Sequence, residues 1–199
     1  VIGVTITPAP QSRLGRAMPA RSQTVSVAGR RLRLTNLDKV VYPTTGTTKA
    51  DIIGYYAQVS EVLLPHLNGR PVTRKRWPHG VGTAENPGEV FFEKNLPSSA
   101  PDWIRTTQIA HSTHANTYPL FESQADLAWI GQVAALELHV PQWRVDGEGQ
   151  ARNPDRFVLD LDPGPGVGLA ECSQVALVAR EVLADVGMQA LPVTSGSKG

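Results

Sequence analysis

The sequence predicts a mixed α/β or α+β domain, a sheet with helices packed against it, and three stretches carry that reading. Val25 and Val27 alternate before Gly29, and Leu32 and Leu34 after it, as the two strands of a hairpin do. Ile52, Tyr56, Val59 and Leu63 recur at helical spacing behind Thr48-Lys49-Ala50-Asp51, which approximates a capping box. Residues 156–194 read as strand, long amphipathic helix and strand, the alternation of a layered α/β or α+β sheet.

Taken in order, residues 1–24 read as a tail or extension, small, basic and proline-containing between Arg13 and Arg21. The hairpin is followed by Asn36 to Tyr42, which has the composition of a short helical turn stopped by Pro43, and by a loop around Gly46. The first long helix ends at Pro65 and Gly69. Pro71 to Trp77 and Val90 to Glu93 are strand candidates on either side of a Gly/Pro-rich loop. Asp126 caps a helix whose stripe is Leu127, Ile130, Val133, Ala134 and Leu138, running into His139. Arg156 to Leu161 is a strand, Cys172 to Val186 a helix closed by Gly187, and Gln189 to Thr194 a strand.

With 199 residues, the chain can bury one large core or two small ones. Its 41% hydrophobic and 19% charged content is that of a soluble globular protein, and no apolar run approaches the ~20 residues of a membrane span. Val1 to Ile6 is too short, and too poor in basic residues, for a secretory leader. The lone Cys172 excludes an internal disulfide, which fits a reducing, cytoplasmic location. A net charge of +1 leaves the question of nucleic acid to local clusters.

In a strand, Asp160 and Asp162 project from the same face, and a pair of oxygen ligands suits Mg²⁺ or Mn²⁺; the competing reading is a plain Asp-Pro-Gly turn. Ser195-Gly196-Ser197-Lys198-Gly199 offers hydroxyls, an ammonium and two glycines to a phosphate, or is a solvated linker. Arg70, Arg74, Lys75 and Arg76 lie within seven residues beside Trp77, where strand alternation parts Arg74 and Arg76 from Lys75. In a strand, Phe91 and Phe92 send one ring to the core and leave the other free to stack on a base; the competing reading packs both rings in the core. His139 closes a helix, and His111 and His114 have a zinc-like spacing without further ligands to complete a site.

Together, Thr35 to Pro43, Gly46 to Lys49, Arg70-Pro71, Thr73 to Pro78, Phe91 to Lys94, His139 to Trp143, Asp160 to Gly164 and Ser195 to Gly199 resemble, in order, the polymerase domain of bacterial end-joining ligase D. That family belongs to the archaeo-eukaryotic primase superfamily. The resemblance implies a primase-like catalytic domain over residues 25–199, incomplete at its C-terminus, with Asp160 and Asp162 as catalytic metal ligands for Mn²⁺ or Mg²⁺. It implies that Lys75, His139, Ser195 and Lys198 contact a nucleoside triphosphate, that Lys39 and Lys49 hold the 5′-phosphate of a DNA break or gap, and that Phe91 and Phe92 approach the templating base. The implied reaction is template-directed nucleotidyl transfer in non-homologous end joining, with Ku and ligase or nuclease domains as partners. The family also carries a third catalytic aspartate beyond the point where this chain stops. The alternative is therefore a noncatalytic module that binds DNA ends.

Overall fold

A computed structural model describes residues 22–194, which divide between Asn153 and Pro154 into two compact units. The first unit opens with β1 (Ser22–Val27) and β2 (Arg30–Thr35), paired antiparallel so that Val25 faces Leu32. Ala28 and Gly29 both take positive φ, 47° and 76°, which matches the twist of a two-residue hairpin turn. Leu32 and Leu34 enter the core while Arg31 and Arg33 face water, as the alternation predicts.

The helical turn expected over Asn36–Tyr42 is instead a tight turn followed by β3 (Val40–Tyr42), which pairs with β4 (Thr47–Thr48). Asn36 takes a left-handed φ of 53° and its carbonyl receives the Lys39 N–H at 3.1 Å, so the chain reverses before a helix can start. Val40, Val41 and Tyr42 are β-formers, and only Val41 is buried. Thr48 then caps α1 (Lys49–Gln58) in a full capping box with Asp51, and α2 (Ser60–Leu67) follows with Pro65 inside it.

The site is built on a three-stranded sheet in the order β6 (Phe91–Glu93), β5 (Thr73–Arg76) and β9 (Ala135–His139), antiparallel throughout. A hairpin of β7 (Arg105–Ala110) and β8 (Ala115–Leu120) occupies a stretch whose pattern predicted no element. Ser123, not the expected Asp126, caps α3 (Gln124–Gln132), and Asp126 sits inside the helix as its third residue, where its carboxylate completes a second capping box; the helix is buried along most of its length. Sequence spacing extends this helix to Leu138, but Ala134 takes a φ of 53° and the chain leaves as β9. Leu138 and His139 therefore sit on a strand, because β5 supplies a ladder partner that outweighs local helical spacing.

Ile52 and Tyr56 of α1 pack with Val72, Phe121, Leu127, Trp129 and Ile130 in the core, and the Tyr56 hydroxyl donates to the Ala135 carbonyl at 2.7 Å. Gly131 is where α3 meets α1. A Cβ there would stand 2.8 Å from Ile53 Cγ1 and 3.1 Å from Ile53 Cα.

The second unit contains α4 (Leu169–Asp185), with the Glu171 carboxylate accepting the Gly168 N–H at 2.8 Å. Neither Arg156–Leu161 nor Gln189–Thr194 is a strand. A strand needs a neighbour to take its N–H and C=O groups, and no described segment pairs with either stretch. Phe157 and Leu159 are exposed, and no residue of α4 is fully buried.

In an open helix, alanine is favoured over glycine by about 1 kcal/mol, whereas overpacking against a backbone atom costs about 1–3 kcal/mol. Gly131→Ala should therefore destabilise the first unit by about 1–2 kcal/mol, seen as a lower urea midpoint at unchanged slope. A more stable variant would show that α1 and α3 separate freely.

Candidate nucleotide and phosphate sites

The pleat of β5 assigns its four side chains to two environments. Arg74 and Arg76 point to one side. Arg74 is fully buried, lies 3.4 Å from Glu93 Oε2, donates to the Asn95 carbonyl and stands 5.4 Å over the Trp129 ring. Burial pushes its guanidinium down to about 10, against the pull of Glu93 in the other direction. Arg76 pairs with Glu93 Oε1 at 2.5 Å and donates to the Val133 carbonyl at 2.8 Å. Arg70 is buried and donates to the Pro141 carbonyl at 3.1 Å. Three of the four clustered cations thus hold the fold together, and only Lys75 is left to meet a ligand.

Lys75 shares the opposite, exposed side with residues that the register aligns: Phe92 and Glu137 lie directly across from it, and His139 across from Thr73. Its ammonium reaches Glu137 Oε1 at 2.9 Å and stands 5.1 Å over the Trp77 ring. His139 Nε2 lies 3.2 Å from Glu137 Oε2, and the Phe92 ring meets the His139 ring edge-on at 5.5 Å. Neither Phe91 nor Phe92 enters the core, contrary to the expected split; β6 is an edge strand and both rings are exposed. A cavity of about 210 Å³ adjoins this face, lined by Thr73, His139, His111, Tyr118, Pro141 and Trp143 among others.

Lys39 and Lys49 are brought together, as their flanking turn and helix suggest. The Lys49 N–H donates to the Lys39 carbonyl at 2.9 Å. Lys39 Nζ donates to the Pro78 carbonyl at 2.5 Å and Lys49 Nζ to the Thr35 carbonyl at 3.2 Å, which leaves each ammonium further donors. Lys49 is the first residue of α1, where the helix dipole favours an anion. Burial, then the charges of Lys39 and Arg76, hold its ammonium below the ordinary value of 10.5.

Asp160 and Asp162 are exposed on an irregular segment of the second unit. Their oxygens suit a hard divalent cation in kind. In number they make only part of a ligand set, since no group of three or more His, Cys, Asp or Glu converges among the described residues. His111 and His114 stack at 5.0 Å, with His111 Nε2 against the Tyr118 hydroxyl and His114 Nδ1 against Thr113, an arrangement that spends two ring nitrogens on neighbours. Ser195 and Lys198 lie outside the described residues. Sequence reasoning missed Glu137, although Glu137 and His139 stand two apart in Leu136-Glu137-Leu138-His139, a strand alternation hidden by the helical stripe before it.

Residues 48–199 match the family model described as LigD, primase-polymerase domain. The chain belongs to this family. A LigD from Mycobacterium tuberculosis, described as a multifunctional non-homologous end joining DNA repair protein, is 53% identical over 180 residues. That alignment takes in 87% of this chain and 23% of the relative. The bifunctional LigD of Bacillus subtilis is 34% identical over 169 residues, covering 85% of this chain and 26% of that protein. The chain therefore spans about a quarter of the length of these relatives. Among solved structures, the polymerase domain of M. tuberculosis ligase D in complex with DNA superposes with a TM-score of 0.76 at 54% identity, covering 85% of this chain and 59% of that one. Lys49, Lys75 and His139 fall inside the segment matched to the LigD primase-polymerase model, and Lys39 precedes it. No described helix is long and apolar enough to cross a membrane.

Burial of Lys49 gives a pH dependence to test. Its folded value is lowered, so between that value and 10.5 the unfolded chain holds the proton more firmly and stability rises with pH. Denaturant titrations should show wild type gaining on Lys49→Gln as pH climbs from neutral toward 10.5. A difference that stays flat or shrinks over that interval would contradict the lowering of Lys49 by burial and, after it, by the charges of Lys39 and Arg76.

Proposed function

We propose that this chain is part of a template-directed primase-polymerase that extends or fills DNA ends during non-homologous end joining, gripping the 5′-phosphate of the downstream strand. Membership of the LigD primase-polymerase family supports the reaction class. The observation that carries the nucleotide site is the clustering of Lys75, His139 and Phe92 on one exposed face beside a cavity. An ammonium and an imidazole there complement phosphate oxygens, and an exposed ring provides a stacking surface for a base. Ser195 and Lys198 complete the triphosphate contacts in this reading, and Phe91 joins Phe92 at the templating base.

Asp160 and Asp162 contribute oxygen ligands to a divalent cation, Mn²⁺ or Mg²⁺, which when bound supplies charge stabilisation for phosphoryl oxygens. Lys39 and Lys49 take the terminal 5′-phosphate, whose charge exceeds that of an internal phosphodiester, at the N-terminus of α1. Ku and the ligase and nuclease activities of a larger protein are the partners this role requires. A second reading, a module that only binds ends, has one observation in its favour: the Lys39–Lys49 pair forms entirely within the first unit and needs neither aspartate.

Two measurements separate these readings. With Mn²⁺ on a gapped, 5′-phosphorylated duplex, Asp160→Ala in the full-length protein should abolish nucleotide incorporation while leaving DNA affinity intact. Undiminished synthesis would remove the metal assignment. Competition titrations at fixed salt should show the chain preferring 5′-phosphorylated to 5′-hydroxyl recessed ends roughly tenfold, the size of one charge-assisted contact, with the preference lost in Lys39→Ala/Lys49→Ala. A preference that survives the double substitution would place the phosphate elsewhere.

A further inference from the structure

Glu137 has no role in the reading above, yet it contacts both Lys75 and His139 on the exposed face of the sheet. Its Oε1 lies 2.9 Å from Lys75 Nζ, and its Oε2 lies 3.1 Å from the same ammonium and 3.2 Å from His139 Nε2. The cross-strand register makes this unavoidable: Glu137 stands directly opposite Lys75, and His139 is two residues along the same face of β9. One carboxylate thus occupies two of the groups assigned to the triphosphate, Lys75 and His139. Carboxylate and phosphate oxygens seek the same donors in the same geometry.

We propose that Glu137 is an internal counter-ion seated in the anion site of Lys75 and His139, and that a triphosphate binds there by displacing it. The inference rests on the nucleotide-site reading of those two residues and adds a determinant of affinity to it. Burial raises the Glu137 carboxyl, but hydrogen bonds from Lys75 and His139 and their charges outweigh this and hold it below the ordinary carboxylate range. The group is therefore an anion at neutral pH. The surrounding charged and titratable groups are Lys75 on β5, His139 on β9 and the Tyr42 phenol on β3, which burial and then Glu137 push upward.

Exposure separates this carboxylate from the one on the other side of β5. Glu93 binds the fully buried Arg74, and opening that pair would strand a charge in the core. Glu137, Lys75 and His139 have side chains 44%, 33% and 50% exposed, so the carboxylate can swing into water at small cost. Lys75 keeps its place when Glu137 leaves, because its ammonium also rests on the Trp77 ring. The cation stays aimed at the face and the anion is the movable part.

Glu137→Gln preserves the shape and removes the charge. Calorimetric titration of the whole chain with inorganic tripolyphosphate and with a nucleoside triphosphate should show tighter binding by about fivefold, the upper worth of an exposed ion pair. Affinity for the corresponding nucleoside, which carries no phosphate, should not change, whereas general damage to the fold would weaken both ligands. Glu137→Ala should shift triphosphate affinity in the same direction, with thermal melts confirming that each variant folds. Unchanged or weaker tripolyphosphate binding in both variants overturns the proposal. If Lys75→Ala still weakens triphosphate binding in that case, the nucleotide site stands and only the displacement fails. If Lys75→Ala has no effect, the nucleotide-site reading fails and the displacement falls with it.

Discussion

The pleat of β5 is the constraint on which the site depends. Four residues, Thr73-Arg74-Lys75-Arg76, carry three cations, and a strand cannot send neighbouring side chains to the same side. Because β5 lies between β6 and β9, one of its sides is sealed by Trp129 and Glu93 while the other opens to solvent. Arg74 is held by Glu93, by the Asn95 carbonyl and by the face of an indole, and removing one partner from such a buried charge costs about 3–5 kcal/mol. The sheet's register places Phe92 and Glu137 opposite Lys75, with His139 two residues along from Glu137.

A second site grows from the start of α1. Thr48 and Asp51 satisfy the first N–H groups of the helix through a capping box, which fixes where the helix begins. Lys49 is thereby committed to the first position, beside Lys39 across the β3–β4 turn. Lys49 is itself buried, and that burial, followed by the charges of Lys39 and Arg76, disfavours its ammonium.

The second unit shows what alternation can and cannot establish. Phe157, Leu159 and Leu161 alternate with Asp160 and Asp162 as a half-buried strand would, yet the segment is irregular and its apolar side chains lie open. The pattern encodes a demand for a sheet neighbour, and the conformation follows only where that neighbour is met. In the first unit the same demand at Val40–Tyr42 is met by β4, and a three-residue strand forms from a stretch whose composition suggested a helical turn.

By itself the sequence determined whatever rests on near neighbours along the chain. The β1–β2 hairpin around Gly29, the start of α1 at Thr48 and the division of Arg74 from Lys75 follow from periods of two or 3.6 and from local capping. Tertiary structure decided what depends on partners distant in sequence. It ended α3 at Gln132 and turned Leu138 and His139 into a strand, because β5 offered hydrogen bonds that helical spacing could not. It buried Arg70 and Arg74, left both Phe91 and Phe92 exposed, and brought Glu137 onto Lys75 across 62 residues. Cross-strand pairing is non-local, so no window of the sequence contains both halves of such a contact.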